Sequence, residues 1–202
     1  MKITAIKQQV KRADRYSIYG DEKYLFSFSE GELLASGIRI GQELDEQRLE
    51  ELRNKAVVDK AYDRAINLIS RRFRSEWELH DYLKRKEYDG NVRDKVVDQL
   101  RERGYVNDTD FAKRWVENRR LLKSTSKRRL SQELHQKRIA DDIIKEVLEA
   151  DETDELEVLK DLVERKRKQT KYQDDLKLMQ YLARQGFSYD LIKESLTTPS
   201  EP

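Results

Sequence analysis

The chain contains no cysteine, which removes disulfides, thiolate metal sites, iron–sulfur clusters and a cysteine nucleophile in one step. Histidine is nearly absent: His80 and His135 stand 55 positions apart, too little material for a histidine-based triad or zinc site. No Gly-rich phosphate loop of the GxxxxGK[ST] or GxGxxG type occurs, which disfavours an ATPase or a dinucleotide enzyme. No apolar run approaches the roughly 18 residues that span a bilayer, and Met1-Lys2-Ile3-Thr4-Ala5 lacks the apolar core of a secretory signal. The expectation is a cytoplasmic, non-membrane, non-enzymatic protein without metal or cofactor. Proline is confined to Pro199 and Pro202, and four of the seven glycines (Gly20, Gly31, Gly37, Gly41) precede residue 42. The first fifth is therefore turn-rich, and the rest is free to be helical.

What is present is charge. Of 202 residues 41% are charged, 42 Lys and Arg against 40 Asp and Glu, a net +2. Such density with near-balance suits a well-solvated surface laced with helical ion pairs. Near the N-terminus, Tyr16-Ser17-Ile18-Tyr19 and Lys23 to Phe28 are β-prone and flank the turn Gly20-Asp21-Glu22. Tyr24, Phe26 and Phe28 alternate as one strand face should. A further strand is expected between Ile3 and Val10, so residues 1–43 form a β-hairpin-containing segment.

From Leu44 the apolar spacing becomes helical, and it then recurs. Leu79, Leu83, Tyr88, Val92, Val96 and Val97 are matched 51 positions on by Leu130, Leu134, Ile139, Ile143, Val147 and Leu148. A third copy follows 48 positions later as Leu178, Leu182, Phe187, Leu191, Ser195 and Leu196, with Ser195 the one polar substitute. Ser75, Ser126 and Asp174 each stand four residues before the first Leu, where an N-cap belongs. Preceding helices are expected at 61–72, 111–122 and 156–168. The fold class is mostly α: three tandem three-helix repeats in an elongated helical array behind a small β-containing segment. The division runs 44–106 (linker helix and first repeat), 107–150, 151–196, and a mobile tail 197–202.

Ser70-Arg71-Arg72-Phe73-Arg74-Ser75-Glu76-Trp77-Glu78-Leu79 resembles the first-repeat signature of the RecX family, regulatory proteins of bacterial recombination. The stretch from Leu100-Arg101-Glu102-Arg103-Gly104-Tyr105 to Ala112 resembles that family's link into its second repeat, and Arg128 to Leu134 its second-repeat helix. Tyr24 to Phe28 through Gly37 to Leu44 is similar to the region before the repeats. Two departures stand out: Glu87 and Arg138 occupy positions where the family commonly has glycine, whereas Gly186 matches. Either a non-Gly residue takes the left-handed cap there or the turn is built differently. The helical pattern is expected to give a monomer, and the resemblance implies a non-enzymatic modulator that binds the RecA protein or the RecA–DNA filament, in its groove or at its end, and suppresses filament growth, ATPase and strand exchange. Direct contact with DNA is left open.

Charge segregates along the chain. Residues 112–140 carry ten basic residues against two acids, and 141–164 carry eleven acids against two bases. The candidate partner- or DNA-binding residues are Arg71, Arg72, Arg74, Arg119, Arg120, Lys123, Lys127, Arg128, Arg129, Lys137 and Arg138. Lys123, Lys127, Arg128 and Arg129 straddle an expected helix entry, where side chains and amides can converge on phosphate or carboxylate. The plain alternative is a solvated helix face or, at 71–74, arginines paired with neighbouring acids. Trp77 and Trp115 could stack on bases, but their helical apolar setting favours packing between helices. Tyr105 reads as a helix-end anchor, and both histidines as surface residues. A helical DNA-binding module acting independently of RecA remains the competing function.

Overall fold

The computed structural model describes residues 1–197. Strands β1 (Ile3–Gln8), β2 (Arg15–Gly20) and β3 (Lys23–Ser29) form an antiparallel sheet in that order. Asp21 and Glu22, at φ 46° and 64°, make the tight turn between β2 and β3. Ile3, Ile18, Phe26 and Phe28 are buried, but Tyr24 lies beyond a register shift at Ile18/Tyr19 and stays exposed. The expected face of three aromatics is thus a buried pair with an overhang. Helix α1 (Glu30–Ser36) follows β3 directly, inside the β-hairpin-containing segment, where no helix was expected. Ser29 caps it by accepting from the Glu32 amide, and left-handed Gly37 ends it.

Helix α2 (Glu46–Ile69) opens at Asp45, whose side chain accepts from the Arg48 amide at 2.7 Å. It merges the expected linker helix and the helix expected from residue 61. Leu49, Leu52 and Ala56 complete the sheet's core, whereas Ala61 and Ala65 enter the next one. Arg15, buried beneath the sheet, reaches Asp59 at 2.8 Å and also Asp63. Asp59 accepts in addition from the Ser29 amide and hydroxyl, so α2 is tied to β2 and β3 by charge-assisted bonds.

The repeats follow as α3 (Glu76–Arg85) and α4 (Gly90–Glu102); α5 (Asp108–Leu122), α6 (Lys127–Gln136) and α7 (Asp141–Glu149); and α8 (Glu155–Arg167), α9 (Asp175–Arg184) and α10 (Tyr189–Thr197), with a short 3-10 turn at Thr170–Tyr172. Leu79, Leu83, Leu130, Leu134, Leu178 and Leu182 are fully buried equivalents, as the repeat pattern requires. Ser195 is buried where the other repeats have valine, and its hydroxyl donates to the Ile192 carbonyl at 2.8 Å. The polar exception is therefore satisfied within its own helix.

The middle helices end alike. The amides of Tyr88, Ile139 and Phe187 reach back to the carbonyls of Leu83, Leu134 and Leu182 at 3.2, 3.2 and 3.4 Å. Between them Glu87, Arg138 and Gly186 are left-handed, at φ 64°, 59° and 93°. Side-chain-bearing residues thus take the left-handed position, at about 1 kcal/mol each.

The chain divides into two compact units: Met1–Arg74 with Glu78–Val106, and Ser75–Trp77 with the residues from Asn107 on. The first holds the sheet core and a core of α2, α3 and α4, while the second holds the cores of the second and third repeats. Trp77, expected to pack between helices, is 42% exposed. Of the tail expected at 197–202, Thr197 closes α10 and 198–202 lie outside the described residues.

Candidate partner interface

Eight of the eleven candidate residues lie on the second repeat, six of them at the end of α5 and the start of α6 and two, Lys137 and Arg138, just past the end of α6. Ser126 heads α6: its oxygen accepts from the Arg129 amide at 3.1 Å, and its hydroxyl donates to the Gln185 carbonyl at 2.8 Å. The neighbouring Lys127 amide donates to Glu155 Oε1 at 2.7 Å. One serine and one amide thereby fasten the start of α6 to the end of α9 and the start of α8. The same two bonds occur at residues 75–77, where Ser75 Oγ donates to the Lys137 carbonyl at 3.1 Å and the Glu76 amide to Asp108 Oδ1 at 2.9 Å. At the head of α9 the residue is Asp174, which accepts from the Lys177 amide at 3.0 Å. An ionised aspartate has no hydrogen to donate.

Arg120 does not belong with the solvent-facing cations. Its side chain is 10% exposed and meets Asp151 through Nε at 2.9 Å and Nη2 at 2.6 Å, with a further bond to the Thr125 carbonyl. Burial pushes the Asp151 carboxyl up, but hydrogen bonds from Arg120 and Thr153 outweigh that and hold it below the usual carboxylate value. Lys127 is half-buried, its Nζ donating to the Asp151 carbonyl at 2.8 Å. Both residues are drawn inward by Asp151, which lies far along the chain.

Arg119 lies 4.6 Å from the Trp115 ring centroid and donates from Nε to Glu133 Oε2 at 2.6 Å. Trp115 Nε1 donates to the same oxygen at 2.9 Å, and Lys137 Nζ approaches the ring at 5.1 Å. Trp115, Arg119, Arg129, Gln132, Glu133, Gln136 and Lys137 line an open groove of about 330 Å³. Trp115 is thus neither a buried core residue nor a bare stacking platform, but a half-buried ring fixed by its edge and flanked by two cations. Lys123, Arg128 and Arg138 are exposed, with no ion-pair partner among the described residues. Arg129 is 46% exposed, and its Nε stands 3.9 Å from Glu133.

Arg71, Arg72 and Arg74 lie in the other unit. Arg71 is exposed, whereas Arg72 grips Glu78 through two bonds at 3.0 and 3.3 Å. Arg74 stands 3.9 Å from the same carboxylate, with its Nε buried and unpartnered. Desolvation, aided by Arg72, lowers its pKa. The pairing alternative therefore describes Arg72 and Arg74. Both histidines are partly exposed, His80 3.7 Å from Asp94 and His135 3.0 Å from Asp141. Tyr105 anchors the end of α4 through its amide, on the Leu100 carbonyl at 2.9 Å, while its side chain is exposed.

Charge reasoning missed Glu133, Gln132 and Gln136, and it passed over Leu121 and Leu122, which are 85% and 71% exposed at the end of α5. Two adjacent leucines that break the amphipathic pattern were the available signal. Among the described residues no group of three or more His, Asp or Glu could hold a metal, and no helix is long and apolar enough to cross a membrane.

Comparison with known proteins matches four stretches of the chain. Residues 1–45 match the regulatory protein RecX N-terminal domain, and 61–107, 107–148 and 152–196 match the first, second and third three-helix domains of RecX. A regulatory protein RecX from Listeria monocytogenes is 34% identical over 98% of this chain and 75% of its own length. This chain belongs to the RecX family. RecX proteins from Bacillus velezensis and Clostridium botulinum are 34% and 31% identical, each over 96% of this chain, and over 76% and 93% of their own lengths. A crystal structure of regulatory protein RecX superposes with a TM-score of 0.78 at 27% identity, covering 98% of this chain and 99% of that one. A regulatory role follows from RecX membership, in a family not known for catalysis.

Proposed function

We propose that this chain binds the RecA recombinase or its nucleoprotein filament and inhibits filament growth, ATPase and strand exchange in recombination and DNA repair. It does so as a monomer in the cytoplasm, without catalysis or cofactor. The observation that carries this reading is RecX kinship over nearly the whole chain, joined to a second repeat that leaves Lys123, Arg128 and Arg138 facing solvent. The working division is 1–43, 44–106, 107–150 and 151–196, with the second repeat as the contacting piece. Lys123, Arg128, Arg129 and Arg138 make the primary contact, Arg119 and Lys137 flank the groove, and Arg71 contributes from its own loop. Arg120 and Lys127 hold the second and third repeats together and support the contact from within.

The test is RecA's DNA-dependent ATPase with the purified protein added below stoichiometry. Inhibition is expected, and Arg128→Glu/Arg129→Glu should weaken filament binding more than about tenfold while helix content stays unchanged. An unaltered ATPase rate with folded protein counts against the reading. The excess of basic residues over 112–140 favours a second reading, DNA binding without RecA. That reading predicts tight association with bare DNA and a steep loss with salt, as neutralised phosphates release counterions.

A further inference from the structure

The basic face of the second repeat carries something a phosphate backbone has no use for. Leu121 and Leu122 are 85% and 71% exposed, whereas the helix's other large apolar residues, Phe111, Trp115 and Val116, are buried or half-buried. Helical spacing puts Leu122 on the side of α5 that bears Trp115 and Arg119, one turn beyond the Arg119 end of the groove. Arg129, near the start of α6, lines that groove, and Lys123 and Arg128 stand exposed beside it in sequence. Leu122 is thus an apolar knob at the mouth of a polar groove edged by cations, while Leu121 lies about 100° further round the helix and faces away from it.

The groove's floor argues in the same direction. Glu133 fixes Trp115 Nε1 and Arg119 Nε with one oxygen, so an approaching phosphate would meet a carboxylate where it most needs donors. The aromatic ring is held at its edge and already flanked by Arg119 and Lys137. Gln132 and Gln136 offer amides, which both donate and accept and so suit a peptide backbone. Apolar contact at the centre with charges at the rim is the composition of a protein interface, and the rim charges select an acidic partner.

We infer that the Leu122 knob and the Trp115 groove dock an acidic protein segment carrying at least one apolar side chain, with carboxylates meeting Lys123, Arg128 and Arg129. The inference rests on the proposed function, which makes that segment part of a recombinase subunit; DNA is then held elsewhere or only through the recombinase.

Two measurements on the full chain test it. Leu122→Ser should retain helix content, since that side chain is 71% exposed, yet bind RecA filaments at least tenfold more weakly, with affinity for bare single-stranded DNA within twofold of the parent. Leu122→Cys creates the chain's one thiol, so a benzophenone maleimide labels it alone, and irradiation on the filament should yield an adduct with a recombinase subunit. An adduct with DNA, or unimpaired filament binding by the leucine variant, overturns the docking inference and leaves the proposed function standing. Failure of the unsubstituted protein to bind filaments overturns the proposed function instead, and the docking inference with it.

Discussion

The second and third repeats have equivalent, separate cores but differ at the head of their middle helix. Leu130 and Leu134 of α6 are buried as completely as Leu178 and Leu182 of α9. At the head, Ser126 both caps its helix and donates to Gln185, while Asp174 only caps. A hydroxyl can serve as acceptor and donor at once, whereas a carboxylate can only accept. The difference separates a helix start that joins two repeats from one that merely begins, and it is carried by a single side chain.

The largest expected effect concerns the ion pair behind the two-sided head. Arg120→Ala strands the Asp151 carboxylate, so unfolding free energy in denaturant titration should fall by about 3–5 kcal/mol, as for broken buried pairs. Because the Asp151 carboxyl is held below its ordinary value, its contribution is fully present above about pH 4 and is lost as pH falls through the depressed value. Asp151→Asn should accordingly flatten the acid limb of the stability profile measured between about pH 2 and 5. An unchanged acid limb would mean the second and third repeats are not joined through this pair.

Next comes the head itself. Ser126→Asp keeps the cap but sets a carboxylate against the Gln185 carbonyl, at a cost of about 2 kcal/mol in the same titration. Asp174→Ser should stay within about 0.5 kcal/mol, since serine caps as well as aspartate. Equal losses at the two positions would dissolve the distinction between them.

At the left-handed residues the two repeats should respond with opposite signs. A Cβ on Gly186 would sit 2.6 Å from Ser126 Oγ, and the backbone there is at φ 93°. Gly186→Ala should lower stability by about 1–3 kcal/mol. Arg138→Gly, at the equivalent position of the second repeat, should raise it by about 0.5–1 kcal/mol by removing the left-handed strain. Thermal unfolding of the two variants should therefore shift in opposite directions.

The repeats were legible because burial imposes a helical period that survives in Leu79, Leu130 and Leu178 alike. Helix α1 was not, since Glu30-Gly31-Glu32-Leu33-Leu34 is short, contains a glycine and buries none of its residues. The unbroken α2 escaped notice because its buried stripe changes partner midway, from the sheet at Ala56 to the first repeat at Ala61. At the candidate interface the sign of the charge was readable and its direction was not. Arg120 follows Ala112 and Val116 at spacings of four, which puts it on the buried stripe of α5, yet its partner Asp151 lies 31 residues on. Pairing at such separation is decided by tertiary structure. Trp115 shows the reverse, an aromatic on an apolar stripe that the structure turns partly outward with cations on its ring.

Helix α2 carries a practical lesson for anyone dissecting this chain. Residues 46–60 fall between the matched N-terminal and first three-helix pieces, yet they are one length of helix, about 36 Å with the residues that follow at 1.5 Å per residue. A fragment ending at residue 45 would leave the sheet without Leu49, Leu52 and Ala56, and one beginning at residue 61 would start in mid-helix with no cap. Neither cut falls at a natural seam, so expression of the pieces should yield insoluble or unfolded material, while a fragment running from residue 1 to 106 keeps the beam and both of the cores it supports.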